Sequence, residues 1–266
     1  MRFGTCEEKN VEKMFFSDFG SEPQKKKNIL FPNFPILKIV ELKSLWVILP
    51  MPIPLEYKAP FCHGSFYHIY NRSVDGQLLF YNQTCYQRFL SKYEEYFSDL
   101  LNLYSYALIP NHFHLLASVK EEQACRFTMK ELKRLNAGNW QIDDVISNRF
   151  KNFSISHSLF VKNHFTIKTN VFAQKFKHIL IDKDHYFDKL ISYIHLNPLK
   201  HQVTKEFEHY PWTSYQPLLA SDGLLEFAYV LDWFGGKDNF TKYHKVQFKD
   251  YQRRFWIDFI PVLLPD

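Results

Sequence analysis

Two apolar runs, Leu103 to Ile109 and His112 to Val119, stand two residues apart, with only Pro110-Asn111 between them. Each run is rich in aromatic and aliphatic residues and reads as a strand, and the Pro-Asn pair reads as the break between them. A parallel return needs a crossover of a dozen or more residues, so strands this close in sequence pair antiparallel. The rest of the chain must therefore fit around an antiparallel sheet.

Flanking segments supply the other elements. Ser65 to Arg72 is aromatic and β-branched, a further strand, and Asp75-Gly76 follows it as a turn. Gln83 to Leu101 places Tyr86, Phe89, Leu90, Tyr93, Tyr96, Phe97 and Leu100 at helical spacing. A helix is expected over Glu121 to Asn136, interrupted near Gly138, with more helix around Ile142 to Phe150. A short strand is expected at Lys177 to Ile181, then a helix over Asp184 to Leu196 that Pro198 limits. Further helices are expected at Leu224 to Trp233 and Asp238 to Tyr251. The order strand, helix, two strands, helix, strand, helix implies an α+β fold, an antiparallel sheet with helices packed mainly on one face and a helical C-terminal extension.

Residues 1–60 differ from the rest. Seven prolines between Pro23 and Pro60 prevent a continuous helix or a central strand there. Met51 stands shortly before the first strong strand and is a candidate true start. The expected division is 1–60 as a proline-rich extension, 61–218 as the main domain and 219–266 as a helical tail.

Composition narrows the function classes. The most apolar early segment, Ile36 to Leu55, is broken by Lys38, Glu41, Lys43 and several prolines, short of the ~20 apolar residues that span a bilayer. No secretory signal pattern opens the chain, so a cytoplasmic location is expected. Cys6, Cys62, Cys85 and Cys125 form no Cys-x-x-Cys pair, and free thiols are expected rather than a zinc knuckle or a redox dithiol. A net charge of +5 is compatible with a polyanionic partner without identifying one. The basic and aromatic stretch from Lys162 to His178 reads either as a grip on a phosphate backbone with stacked bases or as a solvated basic face.

Three segments carry chemistry together. On a strand, His112 and His114 project from one face while Phe113 points to the other, and two imidazoles at this spacing can bind one divalent cation. On a helix, Tyr193 and Asn197 lie one turn apart and share a face. The alternative for each is structural: a chance His-x-His, and a packed tyrosine with Asn197 ending a helix before Pro198. Taken as a series, Tyr67-His68-Ile69-Tyr70-Asn71-Arg72, Leu108-Ile109-Pro110-Asn111-His112-Phe113-His114-Leu115-Leu116, Tyr193-Ile194-His195-Leu196-Asn197-Pro198-Leu199-Lys200-His201 and Tyr210-Pro211-Trp212-Thr213-Ser214-Tyr215 resemble the REP-associated tyrosine transposases. These are a branch of the HUH single-tyrosine transposases, and the resemblance runs over about residues 64–218.

The resemblance implies a ferredoxin-like core and a DNA transposase or endonuclease that cuts and rejoins single-stranded or hairpin DNA. It implies Tyr193 as the nucleophile of a covalent 5′-phosphotyrosine intermediate, and His112, His114 and Asn197 as ligands of Mg²⁺ or Mn²⁺. Monomer and homodimer both stay open, since related enzymes can donate the tyrosine helix in trans. Arg72, Lys175, Lys177 and Lys200 are candidate DNA contacts. His68 is a further candidate for phosphate or for the core, and Trp212 is expected to pack rather than to stack on a base. The segment Lys168 to Lys177 lacks the glycine and arginine usual there. The competing readings are an inactive, transposase-derived nucleic-acid-binding domain and a metal-dependent hydrolase that uses an activated water.

Overall fold

The computed structural model describes residues 59–259 except 174, 182 and 222, with side chains described as far as residue 253. The proline-rich stretch, the candidate start at Met51, and Cys6 and Gln174 lie outside the described residues.

Strands β1 (Phe66–Arg72), β2 (Leu101–Ile109), β3 (His112–Val119) and β4 (Lys177–Ile181) form one antiparallel sheet in the order β2-β3-β1-β4. Helix α1 (Gln83–Phe97) joins β1 to β2, and α2 (Met129–Asn136) and α3 (Ile142–Phe165) join β3 to β4. This is the β-α-β-β-α-β arrangement of a ferredoxin-like core. The first expected pair is present as a hairpin, with Ile109 opposite His112.

Alternation along the strands divides the sheet into two faces. Phe113 turns to the face covered by α1 and α3, where its ring meets Phe89 at 5.0 Å. Behind it Phe97, Phe150 and Phe153 close an aromatic core in which all these rings are almost fully buried. Burial of such rings, at about 25 cal/mol per Å² of apolar surface, is the main force holding these helices to the sheet. The opposite face carries His68, Tyr70, His112 and His114, and it is covered by α4 (Lys183–Lys200). The C-terminal part adds α5 (Tyr215–Ala220), α6 (Phe227–Phe234) and α7 (Lys237–Phe259).

Several boundaries differ from the sequence expectation. The helix expected from Glu121 starts only at Met129, where Thr128 and Glu131 form a capping box. The helix expected to fade at Phe150 continues to Phe165, because nothing between them breaks it. Pro198 does not limit α4 but lies inside its last turn. Burial of Leu196, Asn197 and Leu199 outweighs the one hydrogen bond a proline removes. The helix then closes with Gln202 at φ 56, Gln202 N donating to Leu199 O and Val203 N to Pro198 O, a Schellman cap with glutamine in the usual glycine place.

One buried ion pair ties α2 to α3. Arg149 donates through Nε and Nη2 to the two carboxylate oxygens of Glu131, at 2.9 and 2.8 Å, and through Nη1 to the Tyr96 carbonyl. Burial pushes the Glu131 carboxyl up, but Arg149 and Thr128 together outweigh it and hold it below its ordinary range. Glu131→Ala leaves the guanidinium buried without its acid and is expected to cost about 3–5 kcal/mol. Thermal unfolding checks this: a fall in Tm of roughly 10 °C is expected, and a fall of less than about 2 °C contradicts it.

Candidate active site

The site sits at the end of the sheet where β1 and β3 run side by side. Tyr70 lies opposite His114, and Arg72 lies opposite His112. A cleft of about 610 Å³ opens over them, lined by Tyr70, Arg72, Asp75, Asn111, His112, His114, Lys177, Tyr193 and His201, among others. The two imidazoles therefore share one face with the tyrosine helix.

Each imidazole is held by a neighbour. His114 Nδ1 lies 2.9 Å from His68 Nε2, so Nε2 is the His114 nitrogen left for a ligand. His68 is buried, and its other nitrogen has no partner. His112 Nδ1 lies 2.7 Å from Asn111 Oδ1, and its Nε2 lies 3.1 Å from Asn197 Oδ1. Fixing one ring nitrogen so that the other points at an ion is how metal-binding histidines are commonly oriented.

Burial decides the charge of these rings. Desolvation, with smaller contributions from His201, Arg72 and Lys200, lowers the His112 pKa to about 4. Desolvation also takes His68 to about 4 and His114 well below its ordinary value. All three are neutral near pH 7, the form that offers a lone pair to a cation.

The Asn197 contact tests whether these residues fit a metal. A neutral imidazole carries one proton, so His112 donates to only one of its two amide oxygens. When Nδ1 donates to Asn111, Nε2 turns a lone pair toward the Asn197 carbonyl. Two arrangements relieve that repulsion: a cation between the two atoms, or a turned amide whose nitrogen, buried without a partner, becomes the donor. Ligand atoms about 2.1–2.2 Å from one ion and at right angles lie roughly 3 Å apart, close to the observed spacing. The donor set fits a hard divalent ion that keeps open positions. Among the described residues no group of three or more His, Cys, Asp or Glu side chains is arranged to hold a metal, so an ion here would rest on two imidazoles and an amide.

Tyr193 is half-buried on α4, its ring centroid 5.8 Å from that of His114 and edge-on to it. Burial raises its pKa, and the Asn197 amide, which favours the phenolate, opposes that. The Lys200 ammonium lies 5.3 Å from the centre of the Tyr193 ring. The ammonium thus sits over the face of the ring, a cation–π contact.

Of the other expected contacts, Arg72 and Lys177 line the cleft. Lys175 is exposed and is not part of the cleft lining. Most aromatic members of the basic stretch are used in packing: Phe176 stacks on Phe150, His178 on Phe61 and Phe165 on Tyr81. Trp212 stacks flat on Tyr86 at 4.4 Å, in keeping with its expected packing role. His201, which edges His112 at 4.3 Å, and Tyr70 and Asn111 carry no role in the sequence expectation, while His68, a candidate for phosphate or the core, is buried and braces His114. Period-two alternation from His68 to Arg72 marks Tyr70 as a member of the same face.

No family model matches this sequence, and no curated protein matches it. Among solved structures, one described as the REP-associated tyrosine transposase bound to a REP hairpin aligns with 65% of this chain and 88% of its own length, at 18% identity and a TM-score of 0.47. That likeness is too distant to carry chemistry from one protein to the other. No described helix is long and apolar enough to cross a membrane.

Proposed function

We propose that this chain is a single-tyrosine nuclease and strand transferase of the HUH kind, acting on single-stranded or hairpin DNA with Mg²⁺ or Mn²⁺. The observation that carries the reading is the phenol of Tyr193 standing over the His112–His114 face, in a cleft that also holds Arg72 and Lys177. One chain supplies the tyrosine and both imidazoles.

His112, His114 and Asn197 would hold the ion. When bound, it would offset the negative charge of the scissile phosphate and polarise it. The protein's own groups do the rest. Arg72 and Lys177 attract the phosphate backbone into the cleft, and the Asn197 amide favours the phenolate by hydrogen bonding. The Tyr193 oxygen then attacks phosphorus, an O–P bond forms, and the bond from phosphorus to the 3′ oxygen breaks. The phenol proton passes to solvent and the departing oxygen takes a proton from water, giving a 3′-hydroxyl and a 5′-phosphotyrosine. The new ester keeps the energy of the one broken, so a second 3′-hydroxyl can reverse the step without ATP.

This reading predicts that a labelled hairpin oligonucleotide with a single-stranded flank is cut in the presence of Mn²⁺, and that chelation with EDTA abolishes cutting. His112→Ala removes an imidazole whose neighbours all survive, and is expected to slow cutting about 100-fold or more with DNA affinity little changed. Equal cutting by His112→Ala and wild type would overturn the metal assignment.

A further inference from the structure

Two imidazoles near the tyrosine helix take no part in the cleft. His195 on α4 and His244 on α7 are both fully buried, and every ring nitrogen has a partner. His244 Nδ1 lies 2.8 Å from the Phe240 carbonyl, and its Nε2 lies 2.9 Å from His195 Nδ1. His195 Nε2 lies 2.7 Å from Ser214 Oγ and 3.1 Å from Ser105 Oγ.

One end of this chain fixes the direction of every proton. A carbonyl only accepts, so His244 Nδ1 carries a hydrogen and its Nε2 offers a lone pair. His195 Nδ1–H donates to that lone pair, which leaves His195 Nε2 to accept from a serine hydroxyl. Ser214 Oγ in turn accepts the Tyr106 N–H at 2.8 Å. The bonds therefore run unbroken from α7 through α4 to β2.

The segment Tyr210 to Tyr215 is what brings Ser214 there. Leu108 N donates to the Trp212 carbonyl, Ser214 N to the Tyr106 carbonyl and the Tyr210 hydroxyl to the Leu108 carbonyl, so the segment runs along β2. His195 is two residues from both Tyr193 and Asn197, on roughly the opposite side of the helix at about 100° per residue. Holding His195 turns the other two toward the cleft.

We propose that this buried relay sets the rotation of α4, and that His244 on the C-terminal helix is a positioning residue for Tyr193. The proposal rests on the reading of Tyr193 as the nucleophile. A phenol displaced by about 1 Å reacts on the order of 100-fold more slowly even when substrate still binds.

The test compares wild type, His244→Phe and His244→Gln in single-turnover adduct formation with hairpin DNA and Mn²⁺, beside DNA affinity and thermal unfolding. Phenylalanine keeps bulk among Phe207, Tyr215, Phe234 and Phe240 but offers no acceptor, whereas glutamine restores one. His244→Phe is expected to slow adduct formation about 10- to 100-fold with DNA affinity within about twofold, and His244→Gln to recover most of the rate. A folded His244→Phe that reacts at the wild-type rate overturns the proposal, as does a His244→Gln no faster than His244→Phe. If His244→Phe is unfolded at the assay temperature, the double variant Ser105→Ala and Ser214→Ala, which removes both hydroxyls beside His195 Nε2, takes its place, and a wild-type rate for it overturns the proposal. A wild type that forms no adduct fails the nuclease reading and the relay's catalytic role with it. A wild type that reacts beside an equally fast His244→Phe fails the relay alone.

Discussion

Tyr193→Phe removes one oxygen atom and is expected to lower strand cleavage by about 10⁴-fold or more, with the covalent protein–DNA adduct lost altogether. The ring stays, so its edge contacts with His68 and His114 stay too. The phenol lies in a cleft rather than in the core, so stability should change by no more than about 1 kcal/mol. DNA affinity should hold, because Arg72 and Lys177 are untouched. The outcome separates two chemistries at the same cleft. An enzyme that activates a water on the same histidines would cut DNA without Tyr193 and would never be joined to it. Retained cleavage by Tyr193→Phe, measured on a labelled hairpin, would favour that hydrolase and end the covalent account.

The second large effect is on stability in acid. Burial lowers His68, His157 and His244 from about 6.5 to about 4. In the unfolded chain each takes up a proton as pH falls through about 6.5, while the folded protein refuses it until about 4. Between those values the unfolded state binds more protons, so stability falls as pH falls. At pH 5 each such histidine costs about 2 kcal/mol relative to pH 8, roughly 6 kcal/mol for the three. His114 and His195 shift in the same direction and add to the loss. Domains have only about 5–15 kcal/mol to lose. The protein is therefore expected to unfold in mild acid, before most of its carboxylates titrate. Urea unfolding at pH 8, 6.5 and 5 checks this: the midpoint should drop steeply below pH 6.5, and a flat profile down to pH 5 would contradict it.

Much of this was legible in the sequence, for local reasons. The hairpin was readable because two residues between apolar runs leave one geometry, and period-two alternation placed His112 and His114 together. The i, i+4 spacing placed Tyr193 and Asn197 on one face of α4. That these two faces meet was not readable, because it depends on how α4 crosses the sheet, which the buried bonds of His195 to β2 and α7 help to define. Helix ends failed where tertiary burial overrode local preference, as at Pro198. The start of α2 was the opposite case, since Thr128-Met129-Lys130-Glu131 is a capping-box signature in plain sight. The basic, aromatic stretch allowed two readings because composition cannot separate a ring that stacks on a base from one that stacks on Phe150.

One experiment bears on the central claim most directly. Wild-type protein is incubated with Mn²⁺ and a hairpin oligonucleotide carrying an unpaired flank, the DNA is trimmed by nuclease, and the protein is digested and sequenced by mass spectrometry. The account predicts a peptide spanning Tyr193 that carries a nucleotide through its phenolic oxygen. Cut DNA with every Tyr193 peptide unmodified, or a nucleotide attached to another residue, would contradict it.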